Sequence, residues 1–146
     1  MRQTSVSNYD LARMLSDGLK RWNRLAERNI LVVGLNLAEL RVLRLLSELG
    51  PCSMVTLAKD QGMTAPGMTI VVDKLERAGL ARRVRSDADR RMINVAITGK
   101  GGEKLRQALK LHDKFIAKTT HDLSSQEKGS FLTTLNRILA AAESKA

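Results

Sequence analysis

Apolar residues return along most of this chain at helical spacing, and in one stretch they alternate with period two instead. The first helical stretch runs from about Asn8 to Ile30, with Leu11, Met14, Leu15, Trp22 and Leu25 on a broad apolar side and Lys20, Arg21, Arg24 and Arg28 around the polar one. Asn36 followed by Glu39 has the form of a capping box, which predicts a second helix with Leu40, Leu43, Leu46 and Leu49 inside, closed by Gly50 and Pro51. Ser53 is placed to cap a short third helix ending at Gly62, and Thr64 to cap a fourth. In that fourth helix Met68, Val71, Val72 and Leu75 form the side that must bury. Pro66, Ile70, Asp73 and Arg77, flanked by Thr69 and Lys74, form the outer one. Pro66 falls in the first turn, where its missing N–H costs nothing, and Gly79 stops the helix.

The period then changes. Leu80, Arg82 and Val84, followed by Ile93, Val95 and Ile97, predict two strands flanking a loop from Ser86 to Met92. That loop holds Asp87, Asp89, Arg90 and Arg91 and no large apolar anchor in its interior, so it should project into solvent. After it, Thr98 caps a long helix carrying Leu105, Ala108, Leu109, Leu111, Phe115 and Ile116. Ser124 with Glu127 then opens a last one carrying Phe131, Leu135, Ile138, Leu139 and Ala142. Two short helices joined by a tight glycine-containing turn, with a polar outer face on the second, make a helix-turn-helix. The appended hairpin makes it a winged helix.

The predicted fold is therefore mainly α with a small β-hairpin wing. A winged helix-turn-helix lobe over residues 35–99 is flanked by amphipathic helices over 1–34 and 100–146. Such a lobe needs only the middle of the chain, which leaves apolar faces at both ends. Burying them against a second copy is the simplest solution, and a two-fold dimer would present two recognition helices to a pseudo-palindromic site.

Charge narrows the partner. The chain has 146 residues, with 25 Lys plus Arg against 15 Asp plus Glu and a formal charge of +10, which suits a polyanion: DNA, RNA or an anionic membrane. No apolar run approaches the roughly 18 residues of a spanning helix, and MRQTSVSNYD lacks the apolar core of a signal peptide. The expected location is cytoplasmic, with no membrane partner. Aromatic residues make up 3% of the chain, too few for the stacking platforms of single-strand and RNA binders, so duplex DNA is favoured. On the fourth helix Thr64, Thr69, Ile70 and Lys74 are candidate DNA contacts. In the hairpin Arg83, Arg85, Arg90 and Arg91 join them, and Arg82, Arg83 and Arg85 divide between DNA and neighbouring acids such as Glu76 and Asp87.

These residues also match a family. VDKLERAGLARRVRS, DADRR, ITGKG and LSSQE, in this order with six helices and a winged hairpin, resemble the MarR family of bacterial and archaeal transcriptional regulators across nearly the whole chain. The resemblance implies a triangular homodimer joined through its N- and C-terminal helices. It implies binding to duplex DNA, often as a repressor and often released by a small aromatic or phenolic ligand. By position it implies Arg90 in the minor groove with Arg91 beside it, Asp89 orienting the wing through a salt bridge, and Thr64 to Lys74 in the major groove. Members usually place polar residues, often Ser or Gln, where Ala65 and Pro66 stand here, so direct readout falls to few groups: Thr64, Thr69 and Lys74, with Ile70 against a thymine methyl.

Other chemistry is sparse. Among the basic residues of the first helix, Arg21 and Arg24, with Trp22, are candidates to line a ligand cleft and meet a carboxylate. Cys52 is the single cysteine and so forms no intrachain disulfide; it would need a lowered thiol pKa to sense redox change. His112 and His121 have no cysteine or carboxylate at metal-ligand spacing, and no nucleophile–base pair or phosphate loop stands out. No catalytic residue, metal or cofactor is expected. Two alternatives to a sequence-specific regulator remain: a weakly specific or architectural DNA binder, suggested by Ala65, Pro66 and the charge, and a winged helix used as a protein-interaction module.

Overall fold

The computed structural model describes residues 6–85 and 92–144. The predicted wing residues Asp89, Arg90 and Arg91, and Asp87 with them, lie outside that set. The elements in order are α1 (Asn8–Ile30), a 3-10 turn (Leu31–Val33), α2 (Leu37–Leu49), β1 (Cys52–Ser53), α3 (Met54–Gln61), α4 (Ala65–Arg77), β2 (Ala81–Arg85), β3 (Ile93–Ile97), α5 (Gly99–Thr119) and α6 (Ser125–Glu143). The chain divides into two compact units, Met1–His112 and Asp113–Ala146.

Local chemistry sets the helix starts. Both capping boxes form: Asn36 Oδ1 accepts the Glu39 N–H at 2.8 Å while Glu39 accepts the Asn36 N–H at 2.9 Å, and Ser124 and Glu127 reciprocate in the same way. The Ser124 hydrogen bonds hold the Glu127 carboxyl below the usual carboxylate pKa.

In the first unit, Leu40, Leu43 and Leu46 of α2, Leu57 of α3, and Met68, Val72 and Leu75 of α4 share one core with Leu80 and Val95. Ile30 of α1 and Leu105 and Ala108 of α5 enter the same cluster. Leu49, expected inside, is exposed, because it is the last residue of α2 and the chain turns away at Gly50.

The sheet has three antiparallel strands in the order β1-β3-β2, where the sequence pattern predicts two. Cys52 pairs with Val95 and Ser53 with Asn94, so β3 is central and its neighbouring Val95 and Ala96 are both buried. In β2 the register runs from Ala81 opposite Ile97 to Arg85 opposite Ile93. The predicted alternation through Leu80, Arg82 and Val84 is not what buries. Arg82 is exposed, and Leu80 and Ala81 are buried together where the chain leaves the turn at Gly79.

Apolar residues of the terminal helices remain in solvent on a single chain. Tyr9, Met14 and Leu19 of α1 are exposed, and among the described residues of α6 none is buried, with Phe131, Leu132 and Leu139 open.

Candidate nucleic-acid interface

Two short helices and a tight turn set the geometry. Ser53 Oγ accepts the Thr56 N–H at 3.1 Å and starts α3. Gly62 ends it in the left-handed region at φ 59°, which an L side chain rarely adopts, and the Met63 N–H returns to Ala58 O at 2.9 Å. Thr64 then caps α4, its Oγ1 accepting the Gly67 N–H at 3.3 Å. With Met68, Val71, Val72 and Leu75 fixed in the core, Thr64, Ala65, Pro66, Thr69, Ile70, Lys74 and Arg77 all face solvent.

Most polar groups on that outer face are engaged within the protein. Thr69 Oγ1 donates to Ala65 O at 3.0 Å, and Arg77 Nε donates to Asp73 O at 3.3 Å. Asp73 accepts from Arg83 Nη2 at 2.8 Å. Lys74 Nζ has no acceptor among the described residues.

Arg83 ties β2 to α4. Besides Asp73, its Nη1 donates to Glu76 Oε2, and its backbone N–H donates to Glu76 Oε1 at 2.7 Å. The hydrogen bond to Asp73 is the chief cause holding the Arg83 pKa above its ordinary value; partial burial opposes it, and the charges of Glu76 and Asp73 add to it. Arg82 and Arg85, the other basic residues of β2, are exposed and pair with no acid among the described residues. By strand alternation Arg85 shares the pleat face of Arg83, and Arg82 takes the other.

A second buttress lies at the start of α5. Thr98 Oγ1 donates to Gly79 O at 2.7 Å and accepts the Gly101 N–H at 3.0 Å. Lys100 Nζ donates to Ala78 O at 2.8 Å, placing a cation at the C-terminus of α4, where the helix dipole favours one. Gly101 packs directly on Leu80: a Cβ there would lie 2.0 Å from Leu80 O.

Of the residues expected at a ligand cleft, Trp22 lines one of about 260 Å³, whereas Arg21 and Arg24 are exposed elsewhere on α1. The basic lining comes from Arg41 and Arg44 of α2, and Leu109 and His112 of α5 also line the cleft. Their spacing of three on one helix places both arginines on one side, and that was the available signal. Arg41 Nη2 donates to Asn23 Oδ1 at 3.4 Å, and Arg44 meets Glu48 at 3.5 Å. Cys52 is half-buried in β1, and burial, then the charge of Asp60, pushes its thiol pKa up, opposite to what a redox sensor requires. Among the described residues no His, Cys, Asp and Glu cluster is arranged for a metal ion, and no helix is long and apolar enough to cross a membrane.

Comparison with known proteins places this geometry. The model of the MarR family matches residues 35–93. An uncharacterized helix-turn-helix-type transcriptional regulator of Bacillus subtilis, YkoM, is 31% identical over 71% of this chain and 68% of its own length. The transcriptional repressor YetL of the same organism is 29% identical over 89% of this chain and 79% of its own. The crystal structure of the transcriptional regulator BldR from Sulfolobus solfataricus superimposes with a TM-score of 0.81 at 29% identity, covering 96% of this chain and 99% of that one.

Proposed function

The chain belongs to the MarR family of DNA-binding helix-turn-helix transcriptional regulators, and we propose that it acts as a homodimeric repressor with α4 of each subunit in the major groove of a pseudo-palindromic site. In this reading Thr64, Thr69, Ile70 and Lys74 meet the major groove. Arg85 approaches the backbone, and Arg90, with Arg91 beside it, enters the minor groove from a wing oriented by Asp89. The observation that carries it is the outer face of α4, open from Thr64 to Arg77 beside two exposed strand arginines that pair with no acid among the described residues, in a chain of formal charge +10.

Selection of duplexes bound at physiological salt tests it. A recurring inverted repeat is the expected result. A bound population with no shared sequence would install the weakly specific, architectural reading that Ala65 and Pro66 favour. Capture of no duplex would install the protein-interaction reading.

Dimerisation through the chain ends is supported by the open apolar residues of α1 and of α6. Leu19 is 60% exposed and Phe131 65% exposed, so changing them costs a lone subunit little. Leu19→Glu combined with Phe131→Glu is expected to give a folded monomer by light scattering and circular dichroism. A folded dimer of unchanged affinity would place the interface elsewhere.

Arg83 has a positioning role in this reading, because both of its terminal nitrogens are held by carboxylates. Arg83→Met is expected to weaken DNA binding by about 1 kcal/mol, the scale of a partly exposed ion-pair network, with the salt dependence of binding unchanged. Loss of about one unit of log–log salt slope per subunit would mark a direct phosphate contact instead.

The cleft supports ligand-controlled release. Trp22 and Leu109 offer apolar surface and Arg41 and Arg44 positive charge, which suits a small aromatic or phenolic acid.

A further inference from the structure

We propose that α4 reads its site through the C5-methyl group of thymine, with Ile70 making that contact; the proposal rests on α4 being the helix that enters the major groove. Sequence is read there by hydrogen bonds to base edges or by apolar contact with the thymine methyl, which no other base of DNA carries. Which of the two a recognition helix uses depends on what its outer face can still offer.

The first two turns of α4 offer little for hydrogen bonding. Ala65 and Pro66 carry no polar side-chain atom, and Gly67 carries no side chain. Thr64 Oγ1 is accepting the Gly67 N–H, and the Thr69 hydroxyl proton is given to Ala65 O at 3.0 Å. One turn further on, Asp73 is held by Arg83, and Arg77 stands in the last turn with Nε on Asp73 O. Recognition helices of this type reach base edges from their N-terminal residues, which puts Arg77 at the far end. Lys74 keeps its charge available, but an ammonium on a flexible four-carbon stem neutralises phosphate more readily than it discriminates between bases.

Beyond the Thr64 hydroxyl proton at the cap and the Lys74 ammonium, what remains is apolar surface. Ile70 stands 58% exposed on the side of α4 away from the core. Pro66 lies one turn before it at i−4, and the Thr69 methyl adjoins it. Spacing of three and four residues makes Pro66, Thr69 and Ile70 one continuous patch on the helix surface. An isolated exposed isoleucine needs no explanation. This one sits at the centre of the face that the helix-turn-helix presents, where it displaces water from a methyl group and not from a base edge that would be left unpaired.

Replacing individual thymines of a selected duplex by deoxyuridine tests the proposal, since this removes the C5-methyl and leaves every hydrogen-bonding group in both grooves. Full-length protein is expected to lose about fourfold in affinity when the contacted thymine of one half-site alone is replaced, the scale of one buried methylene at about 0.8 kcal/mol. Symmetric replacement in both half-sites should lose about fifteenfold on the same scale. Ile70→Ala should bind the thymine and deoxyuridine duplexes equally. Undiminished binding to a duplex with deoxyuridine throughout overturns the methyl readout while leaving α4 as a DNA-binding helix. A thymine preference that persists in Ile70→Ala comes from duplex shape and overturns the assignment to Ile70. Failure to bind any duplex removes the function itself, and this inference with it.

Discussion

Gly101→Ala is expected to destabilise the protein by about 3 kcal/mol or more, well beyond the usual effect of adding one methyl group on a helix. The added Cβ would stand 2.0 Å from Leu80 O, 2.9 Å from Leu80 C and 2.9 Å from Ile97 Cγ1. Two of those atoms are backbone, so no change of rotamer relieves the overlap; α5 and the turn after α4 must move apart. That movement would also pull Thr98 from Gly79 O and Lys100 from Ala78 O. Total stabilities of ordinary domains run from about 5 to 15 kcal/mol, so the loss should be plain in urea unfolding. Gly102→Ala is the control, because its new Cβ meets only the end of the Arg106 side chain at 3.9 Å. It should be neutral or stabilising by up to about 1 kcal/mol. If the two variants unfold alike, α5 does not pack tightly on the turn after α4.

Arg90→Ala is expected to have the largest effect on DNA binding, weakening it by about 1–3 kcal/mol per subunit with secondary structure unchanged. The loss should be greatest on sites with an A·T-rich segment flanking each half, where a narrow minor groove concentrates negative potential. Asp89→Ala should act through the same wing, so the double variant should cost less than the sum of the singles. Lys20→Ala, on α1, removes the same charge away from the wing. Equally mild effects of Arg90→Ala and Lys20→Ala in a binding titration would reduce the wing to a solvated turn.

Which parts of this molecule a sequence reveals follows from the range of the interaction. Asn36 with Glu39, Ser124 with Glu127, Ser53 and Thr64 act within three or four residues, and all of these caps stand where the residue pattern places them. The buried side of α4 follows equally well, because a helical period of four apolar residues leaves one solution. β1 was not legible: two residues show no period, and Cys52 and Ser53 become a strand only because β3 lies beside them. The Arg83 tether needs β2 to fold back along α4, joining residues seven and ten positions apart. That the basic lining of the cleft lies on α2 and not α1 depends on helix packing, which period alone does not report. Gly101 reads in the sequence as an ordinary helix-start glycine; only its approach to Leu80 gives it a reason. The family match covering residues 35–93 carries the reading of the lobe beyond what local rules supply.

The most direct test is a competition titration of the full-length protein between a selected inverted repeat and random duplex, repeated across a series of salt concentrations. The expected result is a preference of at least about a thousandfold for the repeat, with affinity falling at a log–log salt slope of about −4 or steeper, as several arginines per subunit neutralise phosphates. Equal affinity for both duplexes, or an affinity that does not change with salt, would contradict a sequence-specific regulator that grips DNA through α4 and the wing.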